Sequence, residues 1–175
     1  MSASYGRSGR FLEEERMAGK RLRIRVAVVV VHEGKVLLAR QHVSRGQDFW
    51  IVPGGGLKKG EGLLDCARRE IAEETGLQIE PIRLLCVGDF FKGDRHVVEM
   101  FFLGRMVGGE LRRRAEEIDD LQFFEVESLE EIAIGPHAVA ELLVKGLRDG
   151  FGSVAMYLGK YRKDGPPNQE GNGAV

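Results

Sequence analysis

Cysteine is scarce in this chain. Cys66 and Cys86 are the only two among 175 residues, too few for a disulfide framework. They read as small buried hydrophobes in a reducing compartment. Long apolar runs are missing too. The longest, Val26–Val31, is six residues, against the ~20 that a membrane-spanning helix needs. The opening stretch, MSASYGRSGRFLEEER, lacks the apolar core of a secretory signal. Charge of one sign is not in excess: 26 Lys and Arg stand against 27 Asp and Glu, a net charge of −1. No global pull toward nucleic acid or an anionic membrane follows. His32, His42, His96 and His137 show no zinc-site spacing. These absences point to a cytoplasmic, soluble protein held by an ordinary core, and a chain of this length buries roughly 70% of its extended surface.

Glycine runs the other way. There are 24, about twice the usual share. They follow no period, which excludes a collagen-like repeat. Some mark turns and some lie near the end, but Gly54, Gly55, Gly56, Gly60 and Gly62 fall together.

Three regions are expected along the chain. Residues 1–21 read as a flexible N-terminal arm, polar and carrying Glu13-Glu14-Glu15. Residues 22–163 read as one domain. Residues 164–175, DGPPNQEGNGAV, offer almost nothing to bury and read as a disordered tail. Within the domain, Arg23–Val31 is β-branched, and its unbroken apolar run predicts a strand buried on both faces. Lys35–Gln41 follows the Glu33-Gly34 turn as its hairpin partner. Phe49–Val52 reads as a short strand, Gly54–Gly56 as a loop, and residues 63–75 as a helix ended by Gly76. Ile82–Phe91, His96–Val107 and Gln122–Val126 read as strands. Ser128 with Glu131 has capping-box spacing, and Pro136 is expected at the first position of a second helix running to about Asp149. Phe151–Tyr161 adds a last strand. Strands, a helix, more strands and two helices predict a mixed sheet flanked by helices, an α/β fold.

The chemistry lies between 55 and 77, GGLKKGEGLLDCARREIAEETGL. At 100° per residue, with Ala67 at zero, Leu63, Leu64 and Ile71 fall at about −40°, +60° and +40°, forming a core stripe. Glu70, Glu73 and Glu74 fall at about −60°, −120° and −20°. Three carboxylates thus crowd one side of the last turns, and Glu74 lies inside the apolar stripe. The helix macrodipole disfavours negative charge there, and an unpaired buried carboxylate costs several kcal/mol. A divalent cation resolves both problems. Hard oxygens suit Mg²⁺, which keeps waters and often binds through substrate phosphates. The glycines just upstream let backbone approach a ligand closely.

The same residues carry a resemblance. Gly55, five residues, Glu61, seven residues, Arg69-Glu70-Ile71, one residue, Glu73-Glu74, one residue, Gly76-Leu77 is similar to the complete signature of the Nudix hydrolase family. The resemblance implies an α/β/α sandwich with a central mixed sheet. It also implies hydrolysis of a nucleoside diphosphate linked to another group, by attack of a metal-activated water on the pyrophosphate. It makes Glu70 and Glu74 the main ligands of Mg²⁺ (or Mn²⁺), with Glu73 and the carbonyl of Gly55 beside them. It sets Arg69, Gly54, Gly55 and Gly56 facing substrate, Arg69 chiefly by orienting the carboxylates. Glu61 takes a structural junction position. Glu117, in Glu116-Glu117-Ile118, resembles a family loop with an extra carboxylate and is the candidate ligand or general base.

Trp50, Phe90, Phe91, Phe101 and Phe102 could stack a base, although strand alternation directs most of them to the core. Arg112-Arg113-Arg114 reads as an exposed charged turn. The expected partner is a small nucleotide, not nucleic acid or membrane, with a homodimer left open. An ADP-ribose-like sugar nucleotide and a (d)NTP remain as substrates, since the signature is blind to that choice. A non-catalytic nucleotide-sensing module is the alternative, against which the intact carboxylate set speaks.

Overall fold

The computed structural model describes residues 21–41, 49–92, 95–113, 118–152 and 155–161. The expected arm, the expected tail and Glu117 lie outside these residues, apart from Arg21. In chain order the elements are β1 (Arg21–His32), β2 (Lys35–Gln41), β3 (Phe49–Ile51), β4 (Gly54–Gly56), α1 (Leu63–Thr75), β5 (Leu77–Lys92), β6 (Arg95–Gly109), β7 (Asp120–Phe124), a 3₁₀ turn (Glu127–Glu130), α2 (His137–Asp149) and β8 (Met156–Tyr161). The strands form one sheet in the order β3-β2-β1-β6-β5-β8, with β4 paired to β1 and β7 to β2. The β1–β6 and β5–β8 pairs are parallel and the rest antiparallel, so the sheet is mixed, as expected.

The β1 strand explains the layering. Val26 through Val30 have no exposed surface, because successive side chains point to opposite faces and both faces are covered. Val26, Val28 and Val30 pack with Cys66, Ala67 and Ile71 of α1. Ala27 and Val29 pack with Val139 and Leu143 of α2. The result is a helix–sheet–helix sandwich. Among the described residues no helix is long and apolar enough to cross a membrane.

One edge of β1 is shared, and this split positions the site. Near its end β1 pairs with β2 through Val31 and His32. Farther back, Arg25, Val26 and Ala27 pair with Gly56, Gly55 and Gly54. The expected glycine loop is therefore a short strand. Its glycines have little strand propensity, but the free edge of β1 supplies the hydrogen bonds, and Val28 N–H donates to the Pro53 carbonyl at 2.9 Å. Gly54 holds φ at 146°, and a Cβ there would fall 2.2 Å from the Val26 carbonyl oxygen.

The α1 bounds match the expectation, and Gly76 caps it in the left-handed region at φ 75°. Other edges move. β5 begins at Leu77, five residues early, because Leu77 and Ile79 alternate inward while Gln78 and Glu80 face out. Pro81 is absorbed by a shift of register. Ser128 and Glu131 make no capping box. The segment is a single 3₁₀ turn with no side-chain cap. Pro136 is the extended residue before α2 and not its first turn.

Candidate functional site

The site forms where the last turns of α1 cross the glycine strand. Glu74 accepts the Gly54 N–H at 2.8 Å, so the carboxylate inside the apolar stripe is met by a backbone donor. Glu70 sits over Gly55, where a Cβ would come within 2.3 Å of its Oε2. Only glycine leaves that carboxylate in place. Both line a cavity of about 410 Å³ with the three glycines.

Glu73 stands elsewhere. It is exposed, accepts from Arg69 Nη1 at 3.0 Å and lies 3.6 Å from Lys58 Nζ. Its position about 100° around the helix from Glu74 turns it toward these cations, and it is not part of the cavity lining.

Arg69 is spent on carboxylates. Its Nε and Nη2 grip Glu61 at 2.6 and 2.8 Å, a bidentate pair. Nη1 donates to Glu70 at 2.6 Å, and Nη2 also reaches the Gly56 carbonyl at 3.1 Å. The side chain thus ties the glycine strand, the loop after it and α1 together, and it acts on the cavity through Glu70. The Arg69 guanidinium, with the Lys58 N–H, holds the Glu61 carboxyl down at about 2. The Cys66 thiol lies 4.0 Å from the Gly55 carbonyl oxygen, and burial pushes it up to about 11. Burial also pushes the Cys86 thiol up to about 12. Both cysteines are free and buried.

Sequence reasoning missed a second ion pair. Glu99 on β6 is 1% exposed and lies 3.4 Å from Arg25 Nη1. Arg25 Nη2 in turn donates to the carbonyls of Val52 and Gly54 at 3.1 and 2.9 Å. The pair anchors the start of the glycine strand from beneath. The signal was present: in HVVEMFFL, Glu99 falls on the same face as buried Phe101, where alternation calls for an apolar residue.

The aromatic candidates go mostly to the core. Phe101 and Phe102 are 1% and 6% exposed. Trp50 packs edge-on against Phe124, and Phe91 stacks on His96. Only Phe90 borders the cavity. Arg112 and Arg113 are exposed, and Arg114 lies outside the described residues. A larger groove of about 830 Å³ runs between the 3₁₀ turn and α2, but none of the clustered carboxylates reaches it.

The cavity's donors fit a hard divalent cation. Glu70, Glu74 and the Gly55 backbone offer only oxygen. Among the described residues no three Asp, Glu, His or Cys side chains form a ready cage. A two-carboxylate site completed by water and substrate phosphate is the arrangement Mg²⁺ uses.

Comparison with known proteins agrees with this fold. A NUDIX domain model matches residues 21–143. An NAD-capped RNA hydrolase of Vibrio atlanticus is 35% identical over 62% of this chain and 39% of its own. An ADP-ribose pyrophosphatase of Methanocaldococcus jannaschii is 29% identical over 60% of this chain and 63% of its own. This chain thus spans less than two thirds of either relative. A NUDIX hydrolase structure from Nitrosomonas europaea superposes with a TM-score of 0.65 at 22% identity, covering 81% of this chain and 79% of that one, a likeness of fold. With the family model spanning most of the domain and the whole signature in place, the chain belongs to the Nudix hydrolase family.

Proposed function

We propose that this chain hydrolyses the pyrophosphate linkage of a nucleoside diphosphate derivative in the presence of Mg²⁺, with Mn²⁺ as a substitute. The observation that carries this reading is the pairing of Glu70 and Glu74, one helical turn apart, over a glycine strand with no room for a side chain beneath Glu70. Glu70, Glu74 and the Gly55 carbonyl would hold the cation, which supplies neutralisation of phosphate charge and acidification of bound water. Gly54–Gly56 lets the substrate's phosphates approach backbone. Arg69 fixes Glu70, and the Arg25–Glu99 pair fixes the strand, so the geometry is set before substrate arrives. Glu117 remains the candidate general base on sequence grounds. Both cysteines are buried away from solvent, which favours direct attack by water over a covalent enzyme intermediate.

The relatives named for ADP-ribose and for NAD-capped RNA share a pyrophosphate joining a nucleoside to a second group, and both belong in the test. The purified protein with Mg²⁺ is incubated with ADP-ribose, NAD, NAD-capped RNA and nucleoside triphosphates in ¹⁸O-water. A nucleoside monophosphate plus the remainder is expected, with one ¹⁸O in one product. A trapped phospho-enzyme, or inorganic phosphate released only from a monophosphate, would overturn the reaction class. Tight nucleotide binding without turnover would favour the sensing module.

A further inference from the structure

Among the described residues four arginines surround the cavity region, and they divide into two kinds. Arg69 and Arg25 are consumed by carboxylates and carbonyls. Arg23 and Arg95 line the same cavity as Glu70 and Glu74, yet the side chain of neither makes a hydrogen bond or ion pair with any described residue. Sheet register places them together. Arg23 on β1 is the parallel partner of Val97 on β6, and Arg95 precedes Val97 by two residues on the same face. Arg23 also lies two residues from Arg25, roughly 7 Å along the strand, just past the last paired glycine. The cavity is therefore carboxylate-lined at the glycine strand and cationic at its outer end. Phe90, the aromatic beside Val97, is only 8% exposed and offers little ring face for stacking.

Two guanidiniums converging on one end of a polar cavity match an anion. Their planar forks suit phosphate oxygens, which they bind in charge-assisted pairs. A neutral sugar filling the same space would desolvate both cations without replacing their water by negative charge. We propose that Arg23 and Arg95 take a terminal phosphate of the substrate, beyond the linkage held at Glu70 and Glu74. The preferred substrate class is then a nucleoside polyphosphate with a free terminal phosphate, ahead of a nucleoside diphosphate capped by a neutral sugar. This rests on the pyrophosphatase reading and narrows it.

The test compares wild type with Arg23→Ala, Arg95→Ala, the double variant and Arg23→Lys on a nucleoside triphosphate and on ADP-ribose, with Mg²⁺. Both side chains are exposed, so folding should survive. On the triphosphate each Ala variant should lose about 10- to 100-fold in kcat/KM, mostly through KM, the scale of a charge-assisted hydrogen bond. Arg23→Lys should recover part of the loss. On ADP-ribose the change should stay within about threefold. Equal losses on both substrates, no loss on the triphosphate, a wild-type preference for ADP-ribose, or losses that follow the base and not the terminal phosphate would each overturn the proposal. If wild type cleaves neither, the pyrophosphatase reading fails by itself. Calorimetric titration of inorganic tripolyphosphate then decides the anion site: at least tenfold weaker binding by the double variant upholds it, and equal affinity overturns it.

Discussion

Helices Leu63–Thr75 and His137–Asp149 are each 13 residues long, cover opposite faces of one sheet, and stop at glycines with φ of 75° and 82°. Their last turns differ. In α2 the basic residue of the last turn, Arg148, pairs with Glu130 at 2.8 Å, and cations are what the negative end of a helix favours. Its buried Val139 and Leu143 complete an apolar cluster with the sheet. The last turn of α1 has no basic residue and carries Glu73 and Glu74 where the macrodipole opposes them. The compensation comes from outside the turn, from the Gly54 N–H, from Arg69 one turn back and from Lys58. The helix whose local electrostatics are unfavourable by itself, but are supported by distant residues, is the one to which the proposed function gives the chemistry.

The largest effect expected from breaking this contrast is at Glu74. Glu74→Gln keeps an oxygen for the Gly54 N–H and removes the charge. It should leave the melting temperature near that of the parent and lower kcat by at least about a hundredfold, the scale of losing a key electrostatic group. Near-parental turnover would remove Glu74 from the mechanism.

Two glycine substitutions sharpen the comparison. At Gly55 an added Cβ meets the end of the flexible Glu70 side chain at 2.3 Å, so Gly55→Ala should displace that carboxylate, cost activity about tenfold or more and barely change stability. At Gly146 of α2 the Cβ meets the Phe151 ring at 2.1 Å. Overpacking costs about 1–3 kcal/mol, partly offset by the ~1 kcal/mol preference for Ala over Gly in a helix. Gly146→Ala should therefore melt a few degrees lower with kcat kept. The reverse pattern in paired melting and rate measurements would mean the two helices have been assigned the wrong tasks.

What the sequence disclosed follows the range of the interactions. The α1 bounds, the Gly76 cap and the double burial of β1 depend on spacing within one element, and each could be read there. The signature residues could be read because their spacing is local too. The pairing of Arg25 with Glu99 could not, since the two are separated by about half of the domain and meet only through the register of β1 on β6. Register is set by long-range pairing of buried faces. The glycine strand was missed for a similar reason: its partner edge belongs to β1. Ser128 misled because capping-box spacing needs a helix to cap, and the chain there makes only one 3₁₀ turn.

The smallest effect expected is at the hub that supports α1. Arg69 holds the Glu61 carboxyl at about 2, down from 4.5. A carboxyl depressed in the folded state contributes stability that is full above its unfolded value and fades as pH falls from about 4.5 toward 2, because the unfolded chain takes up its proton first. Glu61→Gln removes that dependence while leaving an acceptor for the Lys58 N–H and for one arm of Arg69. Above pH 5 the variant should melt below the parent, and the gap should close on acidification through 4.5 to 3. Parallel melting curves across that window would show that the Arg69–Glu61 pair, at 2.6 and 2.8 Å, orients the site without stabilising the fold. Kinetics at pH 7 separate the two roles. If Arg69 needs Glu61 to hold Glu70 over Gly55, the variant loses kcat at unchanged KM, and if the pair serves only the fold, both constants stay at parental values.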